Sequence, residues 1–260
     1  MPDLQLRFKK DMLTVAPLLT VPLLDETLDE AENLEYFNIL DEDLVRETYL
    51  RFRMAGAECA LANTLQANAL ALEAFGLTDA LCDINRAGIR LAREAGFEHV
   101  IAPLLATAEE VLCEQAQTLL LEMPDAFYLV GTDDDCALKC AIDTLKTMTD
   151  VPICAPASCI DEEVGIIYLA DLNLEDSLSE LESLAATCNK PLLICPKPDA
   201  IACEFTWQRQ QALDKNVDRM VDFALEARAQ GAQLIGTSAG SLPVYTGAIS
   251  AAISGLDVTV

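Results

Sequence analysis

Residues 81–131 read LCDINRAGIRLAREAGFEHVIAPLLATAEEVLCEQAQTLLLEMPDAFYLVG. In this stretch Leu81, Ile84, Ala87, Gly88, Leu91 and Ala95 recur at three- and four-residue spacing, the signature of one apolar helix face. A short apolar run, residues 98–102, follows with no polar alternation, as expected for a strand buried on both sides. Thr107 and Glu110 have the spacing of a capping box and predict the start of a second helix. A second apolar run, residues 127–131, closes the unit. Helix, strand, helix, strand with short connections is the grammar of a parallel α/β sheet.

The same grammar extends in both directions. Further strands are predicted at residues 12–16, 58–62, 151–155, 165–169, 191–195 and 233–236, which brings the total to eight. Val217, Met220, Val221, Ala224, Leu225 and Ala227 predict a helix that Gly231 stops, and Ser177 with Glu180 predicts another helix start. Eight buried strands with helices between them predict a (β/α)8 barrel of the TIM type, one domain over residues 1–260. One unit is short: only residues 156–164, nine in all, separate the fifth and sixth strands. A parallel crossover usually takes a dozen or more, so the fifth helix is expected to be missing or reduced.

A hydrophobic fraction of 52% excludes a disordered chain. The net charge of −26 repels phosphate backbones and anionic lipid, so neither nucleic acid nor membrane is an expected partner. The bland reading of the acid excess is a solvated outer face. None of the ten cysteines forms a C-x-x-C pair, and several fall at core-like positions, which predicts buried thiols and a reducing, cytoplasmic setting. Arg7, Lys9 and Lys10 before the apolar run 12–24 imitate a signal peptide, but Asp11, Pro17 and Pro22 interrupt the imitation. His99 is the one histidine and falls at a strand start, away from the catalytic end of a barrel, so its expected role is structural.

Residues 37–96 read FNILDEDLVRETYLRFRMAGAECALANTLQANALALEAFGLTDALCDINRAGIRLAREAG. Leu44-Val45-Arg46-Glu47, Ala55-Gly56-Ala57, Asn63-Thr64, Ala67-Asn68, Gly76-Leu77 and Asn85-Arg86-Ala87 fall in the order of the homocysteine S-methyltransferase family. The resemblance is to the homocysteine-binding barrel of cobalamin-dependent methionine synthase. Residues 134–141, including Lys139, and Gly236, Gly240 and Pro243 are similar to later pieces of that barrel. The resemblance implies methyl transfer to homocysteine, whose sulfur a zinc ion held by three cysteines keeps as a thiolate. In the family one of those cysteines follows the sixth strand in a G-x-N-C pattern, and two stand in a G-G-C-C-G turn after the eighth.

This sequence departs from the pattern at each of those positions. Its last turn reads Gly236-Thr237-Ser238-Ala239-Gly240. After the sixth strand comes Ala170-Asp171-Leu172-Asn173-Leu174, and either possible register puts a leucine, Leu172 or Leu174, at the cysteine. The family's opening D-G-A-M-G turn is here Ala16-Pro17-Leu18-Leu19, its fourth-strand carboxylate falls at Val130, and its glycine-rich third-strand end is Ala102-Pro103-Leu104-Leu105. A degenerate zinc and homocysteine site is therefore expected, with methyltransferase activity altered or lost.

Barrels build their sites just past the C-terminal ends of the strands. The residues there include Asp133, Asp135, Ser158, Lys197, Thr237 and Tyr245, and the candidates for binding a substrate are Asn63, Thr64, Asp134, Asp171, Asn173 and Ser238. Each also has a plain structural reading: Asn63 satisfying backbone, Asp134 and Asp135 capping a helix, Lys197 a loop charge. No cofactor is expected at the family's position. Cys154, Cys159 and Cys195 flank two strand ends and form the alternative, a relocated thiolate site for zinc. The partners to expect are a small-molecule substrate or a methyl-carrier protein. The competing function is a non-catalytic barrel serving as a regulatory or assembly partner, its mouth closed by Leu18, Leu104 and Leu172. An aldolase-like reading lacks a Schiff-base lysine on a buried strand. The sequence carries no signal for an oligomeric state.

Overall fold

The computed structural model describes residues 4–7, 11–19, 33–131, 135–160, 163–199 and 206–254. The elements run α1 (Leu4–Arg7), β1 (Leu13–Ala16), a 3-10 turn (Leu34–Tyr36), α2 (Phe37–Leu40), α3 (Glu42–Met54), β2 (Cys59–Leu61) and α4 (Ala69–Glu73). A 3-10 turn (Thr78–Ala80) then leads to α5 (Leu81–Glu94), β3 (His99–Leu105), α6 (Glu109–Leu120), β4 (Ala126–Val130) and α7 (Asp135–Met148). The chain ends with β5 (Ile153–Pro156), β6 (Ile166–Ala170), α8 (Leu174–Thr187), β7 (Leu192–Cys195), α9 (Thr206–Ala229), β8 (Leu234–Ile235) and α10 (Pro243–Ser254). All eight strands pair in sequence order, every pair parallel, and β8 closes on β1. This is the expected α/β TIM-type barrel. β5 passes to β6 with no helix among the described residues, as the short connection required.

The stagger follows from the pairing. Start at Cys154, step to its partner on the next strand, and advance one residue each time: Ile167, Leu193, Ile235, Val15, Ala60, Ile101, Phe127 and again Cys154. The circuit closes on itself, and because successive side chains alternate in and out, it sorts the interior into layers of four. Val15, Ile101, Cys154 and Leu193 form one layer. The same count puts Leu61, Tyr128, Tyr168 and Gly236 above it, and Pro17, Pro103, Pro156 and Cys195 above them. Asn63, Val130, Ala170 and Ser238 form the mouth. The packing agrees: Leu13, Val15, Cys59, Leu61, Ile101, Tyr128, Cys154, Tyr168, Leu193 and Cys195 belong to one apolar cluster, and Leu4 of α1 joins it at the bottom.

A second, larger cluster joins the outward strand faces to the helices. The face predicted for α5 is the one it buries: Leu81, Ile84, Ala87, Gly88 and Leu91. Gly231, with φ +95, ends the α9 segment. Two predicted helix starts are corrected. The cap of α6 is Ala108, with no side-chain bond, so Thr107 and Glu110 form no capping box. α8 is capped by Asn173, which leaves Ser177 one turn inside it, buried. β3 also runs on through Pro103 to Leu105, because the proline gives up only an N–H: Pro103 still pairs with Tyr128, Leu104 with Leu129 and Leu105 with Val130. Part of the apolar run that imitates a signal peptide is β1 itself. Among the described residues no helix is long and apolar enough to cross a membrane.

Candidate functional site

The mouth of the barrel combines few polar groups with a closed floor. The floor is Tyr128 and Tyr168, whose rings stack at a centroid distance of 4.2 Å and an interplanar angle of 26°. Gly236 shares their layer and has no room for a side chain: a Cβ there would stand 2.9 Å from the Val15 carbonyl oxygen and 3.1 Å from Cys195 Sγ. The Tyr168 hydroxyl donates to the Leu129 carbonyl (3.2 Å). Cys195 lies above the rings, next to Pro17, Pro103 and Pro156. Burial, and secondarily the Asp171 carboxylate, push the Cys195 thiol up to about 12. Burial, with Cys195 behind it, also pushes the Cys154 thiol up. Burial raises Tyr128 too, helped by Tyr168, Cys195 and Asp171. Asp171 thus acts on the mouth electrostatically, although it is exposed. Its backbone is left-handed (φ +62), and its N–H donates to the Cys195 carbonyl, tying β6 to β7.

The candidate residues separate into three groups. Asn63 and Thr64 are buried and committed to the scaffold. Asn63 Nδ2 donates to the Leu34 carbonyl and to Asn38 Oδ1 (both 3.0 Å), and Asn38 Nδ2 donates back to the Asn63 carbonyl (2.7 Å). Thr64 Oγ1 donates to the Pro103 carbonyl (2.9 Å), and Gln115 Nε2 donates to the Thr64 carbonyl and to Asn85 Oδ1. These bonds weld the ends of β2 and β3 to α2, α5 and α6. Asn173 is corrected from ligand candidate to helix cap: its Oδ1 accepts from the Asp176 N–H (2.9 Å) and its Nδ2 donates to Asp176 Oδ2 (2.6 Å). Of the described candidates, Asp171 and Ser238 remain at the mouth without a scaffold role for their side chains. Ser238 is buried there, its N–H donating to the Pro196 carbonyl. Asp133 and Asp134 lie outside the described residues, as does the side chain of Asp135.

The remaining strand-end residues serve the scaffold or solvent. Lys197 is an exposed loop charge whose N–H bonds the Leu172 carbonyl, and Ser158 is exposed. Tyr245 is buried, its hydroxyl accepting from Asn216 Nδ2 (3.4 Å). Leu104 faces the outer cluster rather than the mouth, and Leu172 packs against that cluster too, so of the three leucines expected to close the mouth only Leu18 touches the interior cluster. His99 opens β3, fully buried, with Nδ1 3.4 Å from Asp125 Oδ1. Tyr128 and Tyr168 are what the sequence reading missed. Their one signal was position: each is the third residue from its strand's C-terminal end.

The donor set does not fit a thiolate-held zinc. β6 ends in Asp171 and Leu172, and β8 leads into Thr237, Ser238 and Ala239, none of which offers a sulfur. The alternative site is not assembled either. Cys154 and Cys195 face the interior in different layers, while Cys159 packs against the outer cluster. Among the described residues no three His, Cys, Asp or Glu side chains come together as a metal site.

The sequence matches no curated protein. The fold is similar to that of the homocysteine methyltransferase MmuM from Escherichia coli in its metallated form, with a TM-score of 0.77 at 17% identity over 96% of this chain and 99% of that one. A dihydrodipicolinate synthase from Agrobacterium tumefaciens matches less closely, with a TM-score of 0.58 at 16% identity over 96% of this chain and 78% of that one. At such identities the likeness shows the barrel alone. The family model for homocysteine S-methyltransferase matches residues 11–162, more than half of the sequence and the half that carries the welded strand ends, and the chain belongs to that family.

Proposed function

We propose that this chain keeps the family's barrel without its zinc-thiolate chemistry, so that methyl transfer to homocysteine is absent or very slow. The observation that carries this reading is the mouth itself. A homocysteine thiol has a pKa well above neutrality and needs a cation or metal to ionise. Among the described residues the Asp171 carboxylate acts on the mouth; after burial, it helps hold the Cys195 thiol protonated, and it would do the same to a substrate thiol. The left-handed backbone at Asp171 supports a register. Glycine adopts that conformation most readily, which puts Asp171 at the glycine of G-x-N-C, Asn173 at its asparagine and Leu174 at its cysteine. The family match ends at residue 162, before either zinc-bearing turn. Any ligand retained at the mouth is small and neutral or cationic.

A second reading, a non-catalytic barrel acting as a regulatory or assembly partner, is favoured by the filling of the interior up to the mouth by Tyr128, Tyr168, Cys195 and three prolines. The test is methionine formation from homocysteine with methylcobalamin, S-methylmethionine or betaine as donor, each with added zinc. Elemental analysis of the purified protein accompanies it. Robust turnover with any donor overturns the proposal. Stoichiometric zinc lost on Cys195→Ser would instead establish the relocated thiolate site.

A further inference from the structure

At the opposite end of the barrel a cleft of about 350 Å3 opens between the α1–β1 connection, the entry to β2 and the last turn of α10. Its lining includes Arg7, Asp11, Thr14, Glu58, Arg228 and Ser254. Three features set it apart from an ordinary surface groove.

Thr14 is the first. It stands on the outward side of β1, 1% exposed, and its hydroxyl has no hydrogen-bond partner among the described residues. A buried hydroxyl without a partner costs free energy, and valine would fill the same volume without that cost. Arg228 is the second. It is half-buried, and Nη1 donates to the Ile253 carbonyl (2.8 Å), capping the end of α10. No carboxylate stands within ion-pair distance of it among the described residues, in a chain with 43 acidic and 17 basic side chains. The third is the carboxylate pair across the cleft. Asp11 and Glu58 each give one oxygen to Arg7 (2.9 Å in both cases), which leaves the second oxygen of each for another partner.

The cleft therefore holds a cation, Arg228, that touches neither carboxylate, and two carboxylates of which Arg7, on the same wall, answers one oxygen each, with Thr14 on β1 unpartnered among the described residues. A free anion would suit Arg228, but the −26 charge of the whole chain repels it on approach. A simple cation would suit Asp11 and Glu58 and leave Arg228 unanswered. A small molecule carrying both charges meets neither objection. We propose that this cleft binds a zwitterionic amino acid, its carboxylate on Arg228, its ammonium on Asp11 and Glu58, and the Thr14 hydroxyl bonded to it. The site is separate from the mouth, and its test does not depend on the reading of the mouth.

The test is calorimetric titration of the full chain with L-serine, with acetate and ethylammonium as single-charge controls. Saturable L-serine binding is expected, with either control much weaker. Arg228→Gln should weaken binding about tenfold or more, the scale of a lost charge-assisted bond. Thr14→Val should weaken it roughly threefold while leaving the ligand-free protein as stable or more so, a split that a merely structural threonine would not produce. Because Arg228 also caps α10, Ser254→Phe, at an exposed position, blocks the cleft without touching that cap and should abolish binding. No saturable L-serine binding at tens of millimolar overturns the proposal, as does binding that survives both Arg228→Gln and Ser254→Phe. Acetate binding as tightly as L-serine would make this an anion site and overturns it too.

Discussion

Tyr128 and Tyr168 stack across the barrel interior, 4.2 Å between ring centroids, from two strands that are not neighbours. β5 lies between β4 and β6, and the rings meet only because the stagger of the barrel lifts both into one layer. The pair lies two layers below the mouth, beneath Cys195 and three prolines.

Gly236→Ala tests how tightly the interior is filled beside Val15 and Cys195. Its methyl would meet the Val15 carbonyl oxygen at 2.9 Å, and backbone cannot yield cheaply. The expected loss is about 1–3 kcal/mol of unfolding free energy, the usual cost of overpacking. Tyr168→Phe, which loses the bond to the Leu129 carbonyl and the hydroxyl's contact with Tyr128, should cost about 1 kcal/mol or more. Urea denaturation measures both. A neutral Gly236→Ala would mean that the interior is looser at Val15 and Cys195 than the close approach implies.

Asn63→Ala should behave as a scaffold variant. It strands the Leu34 carbonyl and Asn38 Oδ1, both supplied by Asn63 Nδ2. The expected cost is about 2 kcal/mol or more, since buried acceptors lose their donor. Asp171→Asn should leave stability nearly unchanged, because its side chain is exposed. Equal effects of the two on stability would contradict the division of these candidates.

Glu35 is a buried carboxyl whose pKa burial raises, against the hydrogen bond from the Gln66 N–H (2.8 Å). The unfolded chain ionises this group more readily than the folded one. Its contribution to stability is therefore intact below the ordinary carboxylate range and falls as pH rises through the folded value. Glu35→Gln keeps an acceptor for Gln66 and removes the charge. The variant's advantage over the parent in urea denaturation should grow from about pH 4.5 upward; an advantage independent of pH would refute this assignment.

Cys195 governs part of the alkaline limit. With the folded thiol at about 12 and the free one at 9.0, the unfolded chain alone releases this proton in between. Stability should fall as pH rises through that window, and the fall should be shallower in Cys195→Ala. At neutral pH the thiol should resist alkylation until the protein unfolds. Rapid labelling of native Cys195 would show the mouth to be open.

Local chemistry was enough for much of this molecule. Eight apolar runs, the periodic face of α5 and the nine-residue gap before β6 determined the barrel and its missing helix, because periodicity and connection length are properties of neighbouring residues. The absence of sulfur from Leu172, Leu174, Ser238 and Ala239 was equally plain in the sequence. What those neighbours do not contain is the stagger. Only closure of the sheet decided that Cys154 and Cys195 face inward while Cys159 does not, and that Tyr128 meets Tyr168. The same holds for Asn63, which bonds Asn38 and Leu34 rather than a ligand, and for Asn173, spent on the first turn of α8. Thr14 and Arg228 lie far apart in the chain and line one cleft because α9 and α10 return to the side of β1 where the barrel begins. A side chain's type is written locally, but its partner is chosen by strands and helices that the chain brings together from a distance.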